Sequence, residues 1–202
     1  MYPMIANRFK APVTLVITPL CKFLLRIGIS PNALTVFGAL GSVVASLFFF
    51  PNGDFFTGTL VVALFALSDL FDGTMARISE RGSTKWGALI DSTLDRVTDS
   101  AICAGILIHF FQREGNSLTV LLALIALVTG SLIPYIRAKA ESLGIECSVG
   151  IAERTERLIV LLVATGLYGL GVLQAIDIGL CLISVLSIVT IAQRLLVVAR
   201  SS

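Results

Sequence analysis

The chain has 202 residues, of which 56% are hydrophobic and 14% charged, with a formal net charge of +2. A soluble domain carries about 25% charged residues, so this composition excludes a water-soluble globular protein and leaves no room for a separate soluble domain. The expectation is one all-α integral membrane domain over 1–202, with a juxtamembrane amphipathic segment over 1–30 and a six-helix bundle over 31–200.

The opening stretch, "MYPMIANRFKAPVTLVITPLCKFLLRIG", has a short apolar run and no small-residue cleavage site, so no signal peptide is expected. Within it, "VTLVITPLCKFLLRIGI" interrupts its apolar residues with Lys22 and Arg26. That is the pattern of a helix lying on a membrane surface, here with a break at Pro19. Ser30 followed by Pro31 is a good helix start. Six apolar stretches follow, at 33–50, 55–76, 87–111, 118–138, 156–173 and 175–198. Each is near the ~20 residues a helix needs to cross a bilayer, and helices satisfy their own backbone groups in lipid.

Counting crossings puts 14 of the 15 Lys and Arg residues on one face and leaves only Arg113 on the other. By the positive-inside rule both termini are cytoplasmic, in a multi-pass protein of the cell membrane. Cys21, Cys103, Cys147 and Cys181 show no CxxC pairing and are expected as small buried hydrophobes. His109, near the outer end of the third stretch, is expected at the membrane interface and not as a metal ligand.

The segment "SDLFDGTMARISERGSTKWGALIDSTLDRVTDS" breaks the apolar pattern with Asp69, Asp72, Asp91, Asp95 and Asp99. Asp69 and Asp72 are three apart, and Asp91 and Asp95 four apart, so each pair shares a helix face. Asp99 continues the second stripe one turn deeper. The helices are joined by a short polar turn, which lets the acidic faces meet. Carboxylates this dense are costly in a membrane without cations, and Arg77 and Arg96 are too few to neutralise them. All-oxygen ligands suit Mg²⁺ or Mn²⁺ better than Zn²⁺, and four carboxylates can hold one or two such ions. Gly73, Ala76 and Gly87 are small enough to leave a ligand space against the helices. A cation transporter is the rival of another class, but the aspartates cluster at one end and form no path across the membrane.

"DLFDGTMAR", nine residues, then "GALIDSTLD" resembles the signature of the CDP-alcohol phosphotransferase family, with every fixed position present. The resemblance implies a six-helix enzyme in which Asp69, Asp72, Asp91 and Asp95 bind two divalent ions, Mg²⁺ or alternatively Mn²⁺. It implies that Asp95 is the catalytic base, that CDP-diacylglycerol is the donor and that CMP leaves. Gly73, Ala76 and Arg77 match its nucleotide-contact positions, with Thr84 beside them. "SPNALT" resembles its lead-in to the first span, which adds Asn32 and Thr35. The family also implies a homodimer, and no nucleic-acid partner is expected.

The acceptor is read from the second half. Arg137, Lys139, Arg154, Arg157 and Arg194 stand at the cytoplasmic ends of three helices, which favours a phosphorylated acceptor. "YIRAKAE" and "ERTERL" resemble the phosphatidylinositol-phosphate synthases of actinobacteria, with Thr155 where those relatives have proline. That resemblance implies inositol 1-phosphate as acceptor, bound by Arg137, Arg157 and Arg194, with Lys139 and Arg154 as second choices. Glycerol 3-phosphate is the alternative within the family.

Overall fold

The computed structural model describes residues 17–79 and 84–201. The first half of the expected amphipathic segment, with Arg8 and Lys10, lies outside the described residues, as does Arg81. The chain is helical over 17–26 (α1). It continues through α2 (Pro31–Asn52), α3 (Phe55–Ala66), α4 (Ser68–Ile78), α5 (Lys85–His109), a π-helical turn (Phe110–Glu114), α6 (Ser117–Ser142), α7 (Arg154–Gly169) and α8 (Ala175–Ser201). Each of the six apolar stretches is therefore helical over most of its length, the fifth only as far as Gly169.

Local chemistry explains the boundaries. Ser30 Oγ accepts from Ala33 N at 3.2 Å, and Pro31 is the first residue of α2, as expected. Asn116 caps α6, its side chain accepting from Leu118 N and Thr119 N. The expected break at Pro19 is not seen: the described part of α1 runs through it as helix. The second apolar stretch is not one smooth helix. Leu70 N bonds to Leu67 O at 3.0 Å, a tighter turn that separates α3 from α4 just before Asp69.

Among the described residues four helical segments are long and apolar enough to cross a membrane: Pro31–Asn52, Phe55–Ile78, Ser117–Ser142 and Ala175–Ser201. The other two fall short for physical reasons. α5 has 25 residues, but residues 85–99 of it carry Lys85, Asp91, Asp95, Arg96 and Asp99. α7 has 16 residues, which at ~1.5 Å per residue is short of a ~30 Å hydrocarbon core.

The chain forms two compact units. The first comprises residues up to 42 and 63–98; the second comprises 43–62 and 99–202. In the first, glycines set the packing of α2. A side chain at Gly38 would run into that of Ser68, and one at Gly41 into the ring of Phe65. Phe37 meets the same ring edge-on at 5.6 Å. Cys21 on α1 is buried, and its Sγ donates to Phe71 O of α4 at 3.7 Å.

The second unit has an apolar core of Phe50, Phe55, Ile102, Ile106, Phe110, Ile176 and Leu180, with Leu161 at its edge. Thr59 and Thr165 share a buried hydrogen bond at 2.7 Å, a common helix–helix tie in membranes. Gly169 lies against the backbone of Phe56, and Gly179 against Ala164. Gly171, with a φ of +97°, makes the turn after α7. His109 is buried at the end of α5 among Phe55, Phe110 and Tyr168, edge-on to Phe55 at 4.9 Å. Its ring fills an aromatic cluster. Cys103 and Cys147 are buried as expected; Cys181 is exposed, and all four cysteines are unbridged.

Large apolar side chains cover the outside, including Phe37, Val44 and Phe48 on α2 and Ile178, Leu182 and Val185 on α8. Exposure of this kind suits lipid as the surrounding solvent.

Candidate metal and nucleotide site

All of the expected metal and nucleotide residues fall in the first unit. α4 supplies Asp69, Asp72, Gly73, Ala76 and Arg77; α5 supplies Asp91 and Asp95; α2 supplies Asn32 and Thr35. Thr84 immediately precedes α5. The carboxylates grade from buried to open: Asp72 is buried, Asp69 and Asp95 are half-buried, and Asp91 is exposed.

Asp72 is the anchor. Its Oδ2 accepts from Thr35 Oγ1 at 2.5 Å, across from α2. Asp69 and Asp91 lie near enough for their charges to act on it. Asp95 pairs with Arg96 Nη2 at 3.4 Å. Among the described residues, no three His, Cys, Asp or Glu side chains converge into a closed cage. Carboxylates of like charge are expected to stand apart until a cation draws them in. Their chemistry nonetheless fits hard divalent ions. The donors are all oxygen, they belong to neighbouring helices, and one of them is already oriented by a hydroxyl.

Gly73 separates the ligand-access reading from ordinary small-residue packing. Gly38, Gly41, Gly58, Gly105, Gly169 and Gly179 would each drive a Cβ into a neighbour, whereas Gly73 has open space around it. No helix among the described residues packs there, so a helix-weakening glycine next to Asp72 is unexplained by their packing and fits an open face beside the carboxylates. Gly73→Val is expected to leave thermal stability near wild type while raising the KM for the nucleotide-lipid donor. A melting curve and donor titration of the variant check it.

Gly87 differs. A Cβ there would lie 2.7 Å from Asn32 Oδ1 and 3.1 Å from Thr84 Oγ1. The structure thus brings Asn32 and Thr84 together over the first turn of α5. Thr84 also has a local role: its Oγ1 accepts from Gly87 N at 3.0 Å and caps the helix. Arg77 is exposed and rests on its own helix, with Nε donating to Gly73 O at 3.0 Å and Nη2 to Thr74 Oγ1 at 3.2 Å. Ala76 is half-buried on the same helix.

The expected acceptor residues fall in the second unit. Arg154 Nε lies 3.4 Å from Asp99 Oδ1, and Arg157 Nη2 lies 3.7 Å from Asp99 Oδ2. Arg157 Nη1 also donates to Ala152 O at 2.9 Å. Asp99, which the stripe on α5 grouped with the other aspartates, therefore serves two arginines of α7. Arg194 is buried and donates to Ile133 O at 2.5 Å and Val149 O at 2.9 Å. Those bonds tie α8 to α6 and to the α6–α7 connection, which also bonds Thr190 through Ala152 N. Arg137 is exposed and paired with Glu141 at 2.8 Å; Lys139 is exposed on the same helix. The sequence reading missed two of these contacts, Thr35 to Asp72 and Asp99 to α7. The only sign of the second was the spacing of Arg154 and Arg157 on one helix face.

Arg194→Met is expected to lower thermal stability in detergent by about 2–4 kcal/mol, since two buried carbonyls lose charged donors. Thermal unfolding followed by circular dichroism checks it.

The family profile described as CDP-alcohol phosphatidyltransferase matches residues 28–199. A phosphatidylinositol phosphate synthase of Streptomyces avermitilis is 41% identical over 200 residues, covering 96% of this chain and 82% of the relative. One of Cutibacterium acnes is 40% identical, covering 96% and 98%. The crystal structure of the Mycobacterium tuberculosis phosphatidylinositol phosphate synthase with CDP-DAG bound superposes with a TM-score of 0.85 at 39% identity, covering 93% of this chain and 94% of that one. The same enzyme in complex with manganese and citrate gives 0.84 at 39% identity, covering 90% and 88%.

Proposed function

The chain belongs to the CDP-alcohol phosphatidyltransferase family, and from that membership we propose that it transfers the phosphatidyl group of CDP-diacylglycerol to inositol 1-phosphate, releasing CMP. The observation that carries this reading is the likeness to a relative solved with CDP-DAG bound, at 39% identity over 93% of the chain. The relatives' name, phosphatidylinositol phosphate synthase, supports a phosphorylated inositol as the acceptor.

Asp69, Asp72, Asp91 and Asp95 would hold two Mg²⁺ ions, with Mn²⁺ as a substitute. When bound, such ions supply positive charge to a diphosphate and to its leaving oxygen. Asn32, Thr84, Arg77 and the open face at Gly73 and Ala76 receive the cytidine diphosphate end of the donor. Asp95 takes the proton from an acceptor hydroxyl. The resulting oxygen attacks the β-phosphate, the bond to CMP breaks, and the proton remains on the Asp95 carboxyl. Arg137, Arg157 and Arg194, with Lys139 and Arg154 as second choices, meet the acceptor's phosphate through charge-assisted bonds. In this reading α5 and α7 also cross the bilayer, giving six spans, and α1 lies on the cytoplasmic surface with Leu20 and Phe23 toward lipid. The termini and site are cytoplasmic, and two copies form a homodimer.

The test is CMP release from CDP-diacylglycerol by purified protein with Mg²⁺, comparing inositol 1-phosphate, glycerol 3-phosphate and free inositol. Release with inositol 1-phosphate alone is expected. Release with glycerol 3-phosphate instead would discard the acceptor and keep the metal chemistry.

A further inference from the structure

Thr35 matches a nucleotide-contact position of the family signature, but its surroundings give it another task. It lies on α2 with 8% of its surface exposed, and Asp72 on α4 is equally buried. The Thr35 hydroxyl has one proton to donate. Two acceptors are in range: Pro31 O, one turn back at 3.1 Å, and Asp72 Oδ2 at 2.5 Å. A threonine inside a helix ordinarily bonds the carbonyl one turn back. Here the carboxylate is closer, and a bond to a charged oxygen is roughly twice as strong as one between neutral groups.

We propose that Thr35 is a positioning residue for a metal ligand: its hydroxyl pins Oδ2 of Asp72 and so sets the orientation in which that carboxylate meets a divalent cation. This rests on the metal-site reading above. A ligating carboxylate turns about its Cβ–Cγ bond unless something holds it. Of the four aspartates, Asp72 is the buried one, where an unheld charged oxygen is costliest. One bond from α2 both satisfies that oxygen and removes the rotation. The hydroxyl proton is then committed to Asp72, which leaves the cytidine to other groups.

The experiment is a Mn²⁺ titration of purified protein stripped of divalent ions, with free Mn²⁺ followed by electron paramagnetic resonance. Thr35→Val keeps the branched shape and removes the hydroxyl; Thr35→Ser restores it. Thr35→Val is expected to weaken Mn²⁺ binding about 10- to 100-fold, the usual effect of losing a group that orients a ligand. Thr35→Ser is expected to bind as the wild type does, and the KM for CDP-diacylglycerol at saturating Mn²⁺ is expected to hold in both. Thr35→Ala takes the place of Thr35→Val if the latter does not fold. Unaltered Mn²⁺ affinity in the hydroxyl-free variant overturns the proposal, and a raised donor KM in its place returns Thr35 to the nucleotide. Wild-type protein that binds no Mn²⁺ overturns the metal-site reading itself, a result distinct from either.

Discussion

Asp91→Asn and Asp95→Asn are each expected to reduce CMP release from CDP-diacylglycerol to background while leaving the protein folded. A carboxamide has nearly the volume of a carboxylate, so packing is little disturbed. It is neutral, however, and one of its two ligand atoms becomes a donor. Asp91 is exposed and Asp95 half-buried, and an asparagine at 95 keeps an acceptor for Arg96, so the fold should tolerate either change. The chemistry does. Loss of a general base costs about 10²- to 10⁴-fold, and a weakened metal site removes several kcal/mol more of charge stabilisation. Asp72→Asn is a poorer test. Asp72 is buried and accepts from Thr35, so its replacement perturbs packing and ligation together. The measurement is CMP release alongside a thermal melt of each variant. Wild-type turnover in either Asp91→Asn or Asp95→Asn would sink the metal-site proposal.

The helices were the most legible part of the sequence because lipid admits so few alternatives. A run of ~20 apolar residues in a bilayer must satisfy its backbone internally, so all six apolar stretches became helices. The aspartate face was legible for the same reason. Charge is rare in such a chain, and its spacing on two helices is visible without coordinates. The break at Leu67 was not, since it arises from a single tightened turn with no proline to announce it. The partners of individual charges were also hidden. Asp99 looks like its neighbours in one dimension, yet it pairs with Arg154 and Arg157, 55 and 58 residues away. Thr35 is 37 residues from the carboxylate it holds. Periodicity reports which face a residue occupies and says nothing of the helix that face will meet. Glycine makes the same point: Gly38 and Gly73 are alike in sequence, and only packing separates the close approach at one from the open space at the other.

Arg157→Gln is expected to raise the KM for inositol 1-phosphate by about 10- to 150-fold and leave the KM for CDP-diacylglycerol unchanged. The placement of Arg157 is the reason. Its side chain is 8% exposed, and it stands in the first turn of α7, where the helix dipole disfavours a cation. Burial and dipole both oppose the charge, and Asp99 and Ala152 O are among the groups that hold it. A planar guanidinium fork suits phosphate. Charged hydrogen bonds are worth about 1.5–3 kcal/mol, which at ~1.4 kcal/mol per tenfold gives the stated range. Glutamine keeps a donor to Ala152 O while removing the charge, which limits structural damage. A role confined to pairing with Asp99 predicts a different result: a lower melting temperature and an unchanged acceptor KM. Steady-state titration of both substrates with a parallel melt distinguishes the two, and Asp99→Asn supplies the control. It leaves the Arg157 charge in place but loosens its orientation, so the acceptor KM should rise less than in Arg157→Gln.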